Sequence, residues 1–170
     1  MSNPAGRLKS RNSDDGMTNL FDGALLERDS PRIIAIDAID ELNSHIAVVL
    51  AYGVPADVRD CLGEVQRRLL EVCSQLNSPG DHRITEQDVL AMEDAAERFG
   101  EQAESEQFVL PGGSLAAAAC HVARSVCRRA EAHVVGLNTM DPPRNDFLVP
   151  FLNRLSHLLL VVARSPNLTR

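Results

Sequence analysis

Apolar residues recur at steps of three and four along most of this chain, a spacing that places them on one face of an α-helix. Glycine or proline follows each such stretch, and no stretch shows the apolar–polar alternation of a β-strand. The sequence therefore predicts an all-α fold, a five-helix bundle. The predicted helices cover residues 31–52, 56–76, 85–99, 114–137 and 144–164.

The predicted domain organisation is an N-terminal loop segment (1–30), a helical bundle domain (31–165) and a C-terminal tail (166–170). The first segment is rich in Ser, Asn, Asp, Gly and Arg, and its composition favours a disordered tail. The alternative is an anion-binding turn, because consecutive backbone amides can line an anion and Arg11 adds a positive charge. The apolar pair Leu20 and Phe21 argues against disorder beyond that point.

The overall charge restricts the class of partner. The formal net charge is -7 with a pI of about 5.2, which argues against a nucleic-acid-binding protein. A few local arginines can still bind a small anion. Because the sequence has no signal peptide and no apolar run long enough to span a membrane, we expect a cytoplasmic protein without a membrane partner.

The four cysteines show no metal or redox spacing. No two of them stand in a CxxC pair, and all four fall within predicted helices, so reduced core thiols are expected. The Glu-x-x-His pairs of a ferritin-like metal site are also missing from the sequence. We therefore expect no metal site on the protein itself. The cysteines are Cys61, Cys73, Cys120 and Cys127.

The fourth predicted helix has two different faces. One is a polar stripe, with residues at steps of three, four and three: His121, Arg124, Arg128 and Glu131. The opposite face carries small residues that let a neighbouring helix approach closely: Ala116, Cys120, Ala123, Cys127, Ala130 and Val134. Spacing alone leaves three equal interpretations of the polar stripe, namely a phosphate site, a solvated salt-bridged face or a subunit contact.

The fifth predicted helix adds Asn153 and His157, which lie four residues apart and so face the same way. They are possible neighbours of Arg124, Arg128 and Glu131 on the fourth helix. Arginines together with an amide side chain suit a polyanion such as a nucleotide phosphate. The histidine by itself is more typical of a solvated or core residue than of a ligand.

Several motifs resemble the PduO-type ATP:cob(I)alamin adenosyltransferases, in order from about residue 10 to residue 164. The two C-terminal motifs are FVLPGGS…AAA…HxARxxCRRAE, starting at Phe108, and FLNRLSHLLLVVAR, starting at Phe151. The others are DDGxTxLF (14–21), DSPR (29–32) and DELNS (40–44).

This resemblance implies a five-helix bundle of ferritin-like up-down topology, assembled as a homotrimer with active sites between subunits. It also implies a reaction in which the cobalt of cob(I)alamin attacks the 5′ carbon of ATP, bound with Mg²⁺, and displaces triphosphate. The product, adenosylcobalamin, would pass to a downstream adenosylcobalamin-dependent enzyme. No residue need act as a nucleophile, because cobalt(I) is one itself.

The same resemblance implies roles for individual residues. Phe108 would pack below the corrin ring and exclude a lower axial ligand. Arg124 would pair with Asp40 of the adjacent subunit. The remaining residues would bind ATP, with Arg128 the most important: Ser10, Arg11, Ser13, Asp14, Gly16, Thr18, Arg128, Glu131 and Asn153.

The chain departs from the family pattern near the expected ATP site. The family loop usually reads TKTGDDGTTG, and here residues 10–19 read SRNSDDGMTN, so Ser13 and Asn19 replace glycines. His157 replaces an aspartate of the NRLSD motif. The first alternative to an active enzyme is therefore a catalytically impaired paralogue that serves as a nucleotide- or corrinoid-binding module. The second is a purely structural trimer.

Overall fold

A computed structural model describes residues 12–21, 23–78, 80, 82–101, 110–140, 146–165 and 168. Among these residues the chain forms five α-helices: α1 (Pro31–Ala51), α2 (Ala56–Asn77), α3 (Glu86–Gly100), α4 (Leu115–Met140) and α5 (Leu148–Arg164). A 3₁₀ turn (Asn12–Asp15) and two short strands, β1 (Met17–Asn19) and β2 (Leu25–Glu27), precede them. The predicted helical fold is confirmed, with a small sheet added.

The central helix of the bundle is α4. It makes the most extensive contacts, with α1 on one side and α5 on the other, while α2 packs on α1 and α3 packs on α5. Small buried residues line α4, and the thiols of Cys120 and Cys127 donate to carbonyl oxygens of α5 at 3.3 Å. A thiol can reach a neighbouring backbone only where the two helices approach closely, as the small-residue face predicts. Among the described residues the core is mostly aliphatic, and its buried aromatic side chains are Phe99 and Phe151.

The start of α3 is held by its own side chains. The backbone N–H of Thr85 donates to Asp88 Oδ2 at 2.9 Å, and the Thr85 hydroxyl donates to the same oxygen at 2.8 Å. This is the capping box predicted from the spacing of the two residues. The other carboxylate oxygen of Asp88 lies 3.1 Å from Arg68 Nε, so the cap also ties α3 to α2.

The N-terminal segment corrects the sequence prediction. Strands β1 and β2 pair antiparallel, with Met17 opposite Glu27 and Asn19 opposite Leu25. Leu20 is buried at the turn, and its carbonyl accepts from Gly23 N–H at 3.0 Å. A disordered tail and a chain without strands were therefore wrong for this stretch. Three-residue strands are too short to show a period in the sequence.

The helix bounds differ from prediction mainly at the ends. α4 continues to Met140, and α5 is first described at Leu148, because residues 141–145 lie outside the described part. Leu168, in the predicted tail, is buried, and its carbonyl accepts a hydrogen bond from the Ser114 hydroxyl at the start of α4. A pocket of about 300 Å³ opens beside this contact, lined among others by Tyr52 and Leu115.

The length and the apolarity of the described helices decide whether any of them could span a membrane. None of them combines the length and the apolarity needed to cross a lipid bilayer.

Candidate functional site

Polar side chains of α4 and α5 meet at the surface of the bundle. Asn153 on α5 donates through Nδ2 to Glu131 Oε1 on α4 at 3.1 Å. The packing of α4 against α5 brings the two side chains together, and both retain access to solvent. This polar pair is the first component of the candidate site.

Two arginines of α4 supply positive charge on the same helix. Arg124 is half-buried and Arg128 is exposed, and neither forms an ion pair within the described residues. Their charge reaches the neighbouring groups. Burial lowers the pKa of His121, and Arg124 lowers it further. An uncompensated guanidinium near the surface is available to an anion or to a second protein chain.

The next arginine along α4 is paired. Arg129 forms an ion pair with Glu41 on α1, and the hydrogen bond from Arg129 holds the pKa of the Glu41 carboxyl below its ordinary value. Asp40, the residue before Glu41, is exposed and makes no ion pair within the described residues. Asp40 and Arg124 therefore each carry a charge without a counter-ion in the described part of their own chain.

A second arginine contact lies on α5. Arg154 pairs with Glu93 on α3, and its Nη1 donates to Asn153 Oδ1 at 3.0 Å. Four side chains thus run from α3 through α5 to α4, in the order Glu93, Arg154, Asn153, Glu131. Sequence reasoning missed the first two. Arg154 directly follows Asn153 in the FLNRLS motif, but no spacing in the sequence links Glu93 to either.

His157 lies one turn after Asn153 on α5, where that helix borders α3. It lines a pocket of about 610 Å³ between α3 and α5, together with Arg154 and the acidic residues Glu93, Glu97 and Glu101. The described lining of this pocket includes neither Arg124 nor Arg128. The histidine that replaces the family carboxylate therefore faces the acidic wall of α3.

The N-terminal loop is described only in part. Asp14 lies within the 3₁₀ turn, and Gly16 follows the turn with φ +74°, a conformation that favours glycine. Thr18 is half-buried in β1, opposite Leu26. Ser10, Arg11 and Phe108 lie outside the described residues, as does the side chain of Ser13.

One departure from the family loop has no backbone cost. Asn19 stands where the family has glycine, but it lies in β1 opposite Leu25. An extended strand residue needs no positive φ, so a side chain is accommodated there without strain. Within the described loop, the residue that does need glycine has kept it, because Gly16 has φ +74°.

The described residues contain no evident metal centre, and burial raises the pKa of all four cysteine thiols. No group of three His, Cys, Asp or Glu side chains among them could hold a metal ion. Burial raises the pKa of Cys73 and Cys120 to about 12, so both thiols stay protonated and unreactive near neutral pH. Arg83, in the connection before α3, pairs with Glu71 at 2.7 Å. The arrangement of solvent-accessible arginines near a polar pair suits binding and charge compensation.

Comparisons with known proteins identify close relatives. The family model described as "Cobalamin adenosyltransferase" matches residues 8–165. The cobalamin adenosyltransferase of Cupriavidus metallidurans is 38% identical over 169 residues, covering 98% of this chain and 91% of that protein. The corrinoid adenosyltransferase of Bacillus subtilis is 34% identical, covering 95% of this chain and 86% of that protein.

Solved structures agree with these relatives. A variant PduO-type ATP:corrinoid adenosyltransferase from Lactobacillus reuteri, complexed with cobalamin and ATP, superposes with a TM-score of 0.83 at 29% identity. The match covers 94% of this chain and 92% of that one. A second variant from Lactobacillus reuteri, complexed with ATP, gives a TM-score of 0.79 at 30% identity, covering 90% and 89% of the two chains.

Proposed function

This chain belongs to the cobalamin adenosyltransferase family, and we propose that it transfers the 5′-deoxyadenosyl group of ATP to cob(I)alamin. The cobalt(I) lone pair forms the new bond to the 5′ carbon. The bond from that carbon to the triphosphate oxygen breaks, and triphosphate leaves with the electron pair. The carrying observation is that Arg124 and Arg128 form no ion pair within the described residues, on the same helix as Glu131, which accepts from Asn153.

The reaction requires the protein to align the two substrates and to compensate the charge of the leaving group. The sugar carbon must lie in line with the cobalt, and the leaving triphosphate must be neutralised as its charge develops. Arg128 is exposed on α4 and has no ion pair in the described chain, so it is the residue that we assign to the phosphates. Asn153 and Glu131 hold the rest of the nucleotide.

The N-terminal loop completes the proposed ATP site. Mg²⁺ enters with ATP, since phosphate oxygens and water supply most of its ligands in such sites. Gly16, with no side chain and with a positive φ, leaves room for a close approach of phosphate to the backbone. The loop residues that we assign to ATP are Ser10, Arg11, Ser13, Asp14, Gly16 and Thr18.

We place the site between subunits of a homotrimer of up-down bundles. Support comes from Asp40 and Arg124, which carry opposite charges and lack ion pairs in the described part of one chain. Pairing them across subunits gives each a counter-ion. In the same scheme Phe108 packs below the corrin ring, and its apolar side chain keeps a lower ligand off the cobalt. A cytoplasmic adenosylcobalamin-dependent enzyme would use the product.

The deciding experiment is turnover of ATP with chemically reduced cobalamin, followed by the spectral change of the corrinoid and by triphosphate release. We expect one triphosphate per adenosylcobalamin formed. ATP binding without any turnover would instead support the binding-module alternative, which the replaced glycine at Ser13 favours. A chain that binds neither ATP nor cobalamin would contradict both and leave only a structural role.

A further inference from the structure

The orientation of the Asn153 amide is fixed from both ends. Its oxygen accepts from Arg154 Nη1 at 3.0 Å, and its nitrogen donates to Glu131 Oε1 at 3.1 Å. A guanidinium has only donors and an ionised carboxylate has only acceptors. In a flipped amide the nitrogen would face the Arg154 donor and the oxygen would face the Glu131 acceptor. Only one orientation therefore makes both hydrogen bonds.

Within the described residues, the fixed amide leaves two hydrogen-bonding functions unused. Nδ2 has a second hydrogen and Oδ1 has a second lone pair, and the side chain is exposed. A group that donates and accepts together would use both of them, as a ribose hydroxyl or the edge of adenine does. A phosphate only accepts, and the Glu131 carboxylate beside the amide repels it. This side of the site therefore suits the nucleoside part of the ligand.

Arg154 is itself held in place by α3. Its Nε pairs with Glu93, while its Nη1 donates to Asn153. The ion pair neutralises the arginine and limits the rotation of its guanidinium. Both members are more than a third exposed, so solvent screens the ion pair and it adds little to stability. Its contribution is geometric, because the planar guanidinium bridges a carboxylate on α3 and an amide on α5.

We propose that Arg154 is a positioning residue that fixes the Asn153 amide to bind the nucleoside part of ATP. The proposal rests on the proposed function and adds to it a residue outside the ATP-binding set. Arg154 acts through Asn153 rather than on the phosphates. Its removal lets the amide rotate, and ATP binding must then order that side chain again.

The test compares Arg154→Met with a matched control, Arg68→Met. Arg68 is 40% exposed against 41% for Arg154, and it also pairs with a carboxylate of α3. No hydrogen bond joins it to Asn153 within the described residues. Calorimetry gives the Kd of each variant for ATP and for inorganic tripolyphosphate, and turnover gives the KM for cobalamin. Thermal unfolding of both variants measures any general loss of stability.

We expect Arg154→Met to raise the Kd for ATP roughly threefold to tenfold, the effect of releasing one ordered side chain. The Kd for tripolyphosphate and the KM for cobalamin stay at their wild-type values, and Arg68→Met changes none of the three. In an Asn153→Ala background, Arg154→Met has no further effect on ATP binding. This last result separates positioning from a direct contact between Arg154 and ATP.

Two results overturn the positioning role while leaving the proposed function intact. One is an active wild type in which Arg154→Met weakens ATP and tripolyphosphate equally. The other is an Arg154→Met effect of full size in the Asn153→Ala background. A wild type that binds no ATP and has no turnover overturns the proposed function itself and the role of Arg154 with it.

Discussion

Arg128 and Arg129 are adjacent in the sequence and equal in charge, but their surroundings differ. Arg129 is engaged by Glu41 of α1, while Arg128 is exposed without an ion pair in the described chain. Each residue of an α-helix is rotated by about 100° from the one before it, so consecutive side chains face different neighbours. Helical spacing places Arg128, but not Arg129, in the polar stripe of α4. The packing of α1 on α4 adds that Arg129 is engaged by Glu41 within the same chain.

This pair gives a test at the scale of one residue. We expect Arg128→Ala to reduce kcat/KM for ATP by about a hundredfold or more, the size typical of removing a donor from a developing charge. Cobalamin binding should change far less. Kinetics with each substrate varied in turn measure both effects.

Arg129→Ala is the control, since it removes the same charge from the same turn of α4. It should leave the ATP kinetics near those of the wild type and change the stability little, because solvent screens this exposed ion pair. Equal losses of ATP and cobalamin use in Arg128→Ala would contradict the role assigned to it.

Individual residues also show how much of the site can be predicted from the sequence. Helical spacing is enough to assign Glu131 to the polar face of α4 and Asn153 to a face of α5. The link from Asn153 to Glu93 depends on how three helices pack together, and no local pattern encodes that arrangement. Gly16 differs from Asn19 for the same reason, because only the folded hairpin reveals which position needs a positive φ.

At the scale of elements, α3 begins with the capping pair Thr85 and Asp88, and the sequence predicted this start correctly. A capping box involves residues three positions apart, so the signal is local and readable. The hairpin of β1 and β2 is the opposite case. Its three-residue strands are held by pairing with each other and by the burial of Leu20, neither of which leaves a periodic signal.

The cap of α3 should be measurable. Asp88→Ala leaves the Thr85 N–H without its partner and removes the ion pair with Arg68, so we expect the free energy of unfolding to fall by about 1–2 kcal/mol. Glu86→Ala, an exposed change in the same first turn, serves as the control and should cost about 0.5 kcal/mol or less. Denaturant unfolding of both variants is the measurement, and equal losses would contradict the capping role.

At the scale of the whole molecule, the proposed trimer is based on two charges that lack ion pairs in the described part of one chain. A lone α-helical protomer leaves Asp40 on α1 and Arg124 on α4 without counter-ions in the described residues, while Glu41 and Arg129 are paired within the chain. A sequence predicts the charges but not which of them find partners internally. The proposed subunit contact can therefore be inferred only from the folded protomer.

Charge reversal tests that contact. Asp40→Arg and Arg124→Glu each place like charges opposite each other in the proposed trimer, so each variant should sediment as a smaller species. The double variant restores an attractive pair and should recover the trimer.

Glu41→Gln is the control because its partner lies within the same chain. Analytical ultracentrifugation at low and high salt follows all four variants. Unchanged sedimentation of both single reversals would exclude this pairing.

The lone tyrosine of the chain has a consequence for spectroscopy. The sequence contains one Tyr and no Trp, and Tyr52 lies half-exposed in the pocket beside Leu115 and Leu168. Its ultraviolet emission therefore comes from a single known position near the start of α4, without the stronger indole signal that masks tyrosine in most proteins. The native chain thus carries a built-in fluorophore at this end of the bundle, and no label has to be attached to read it.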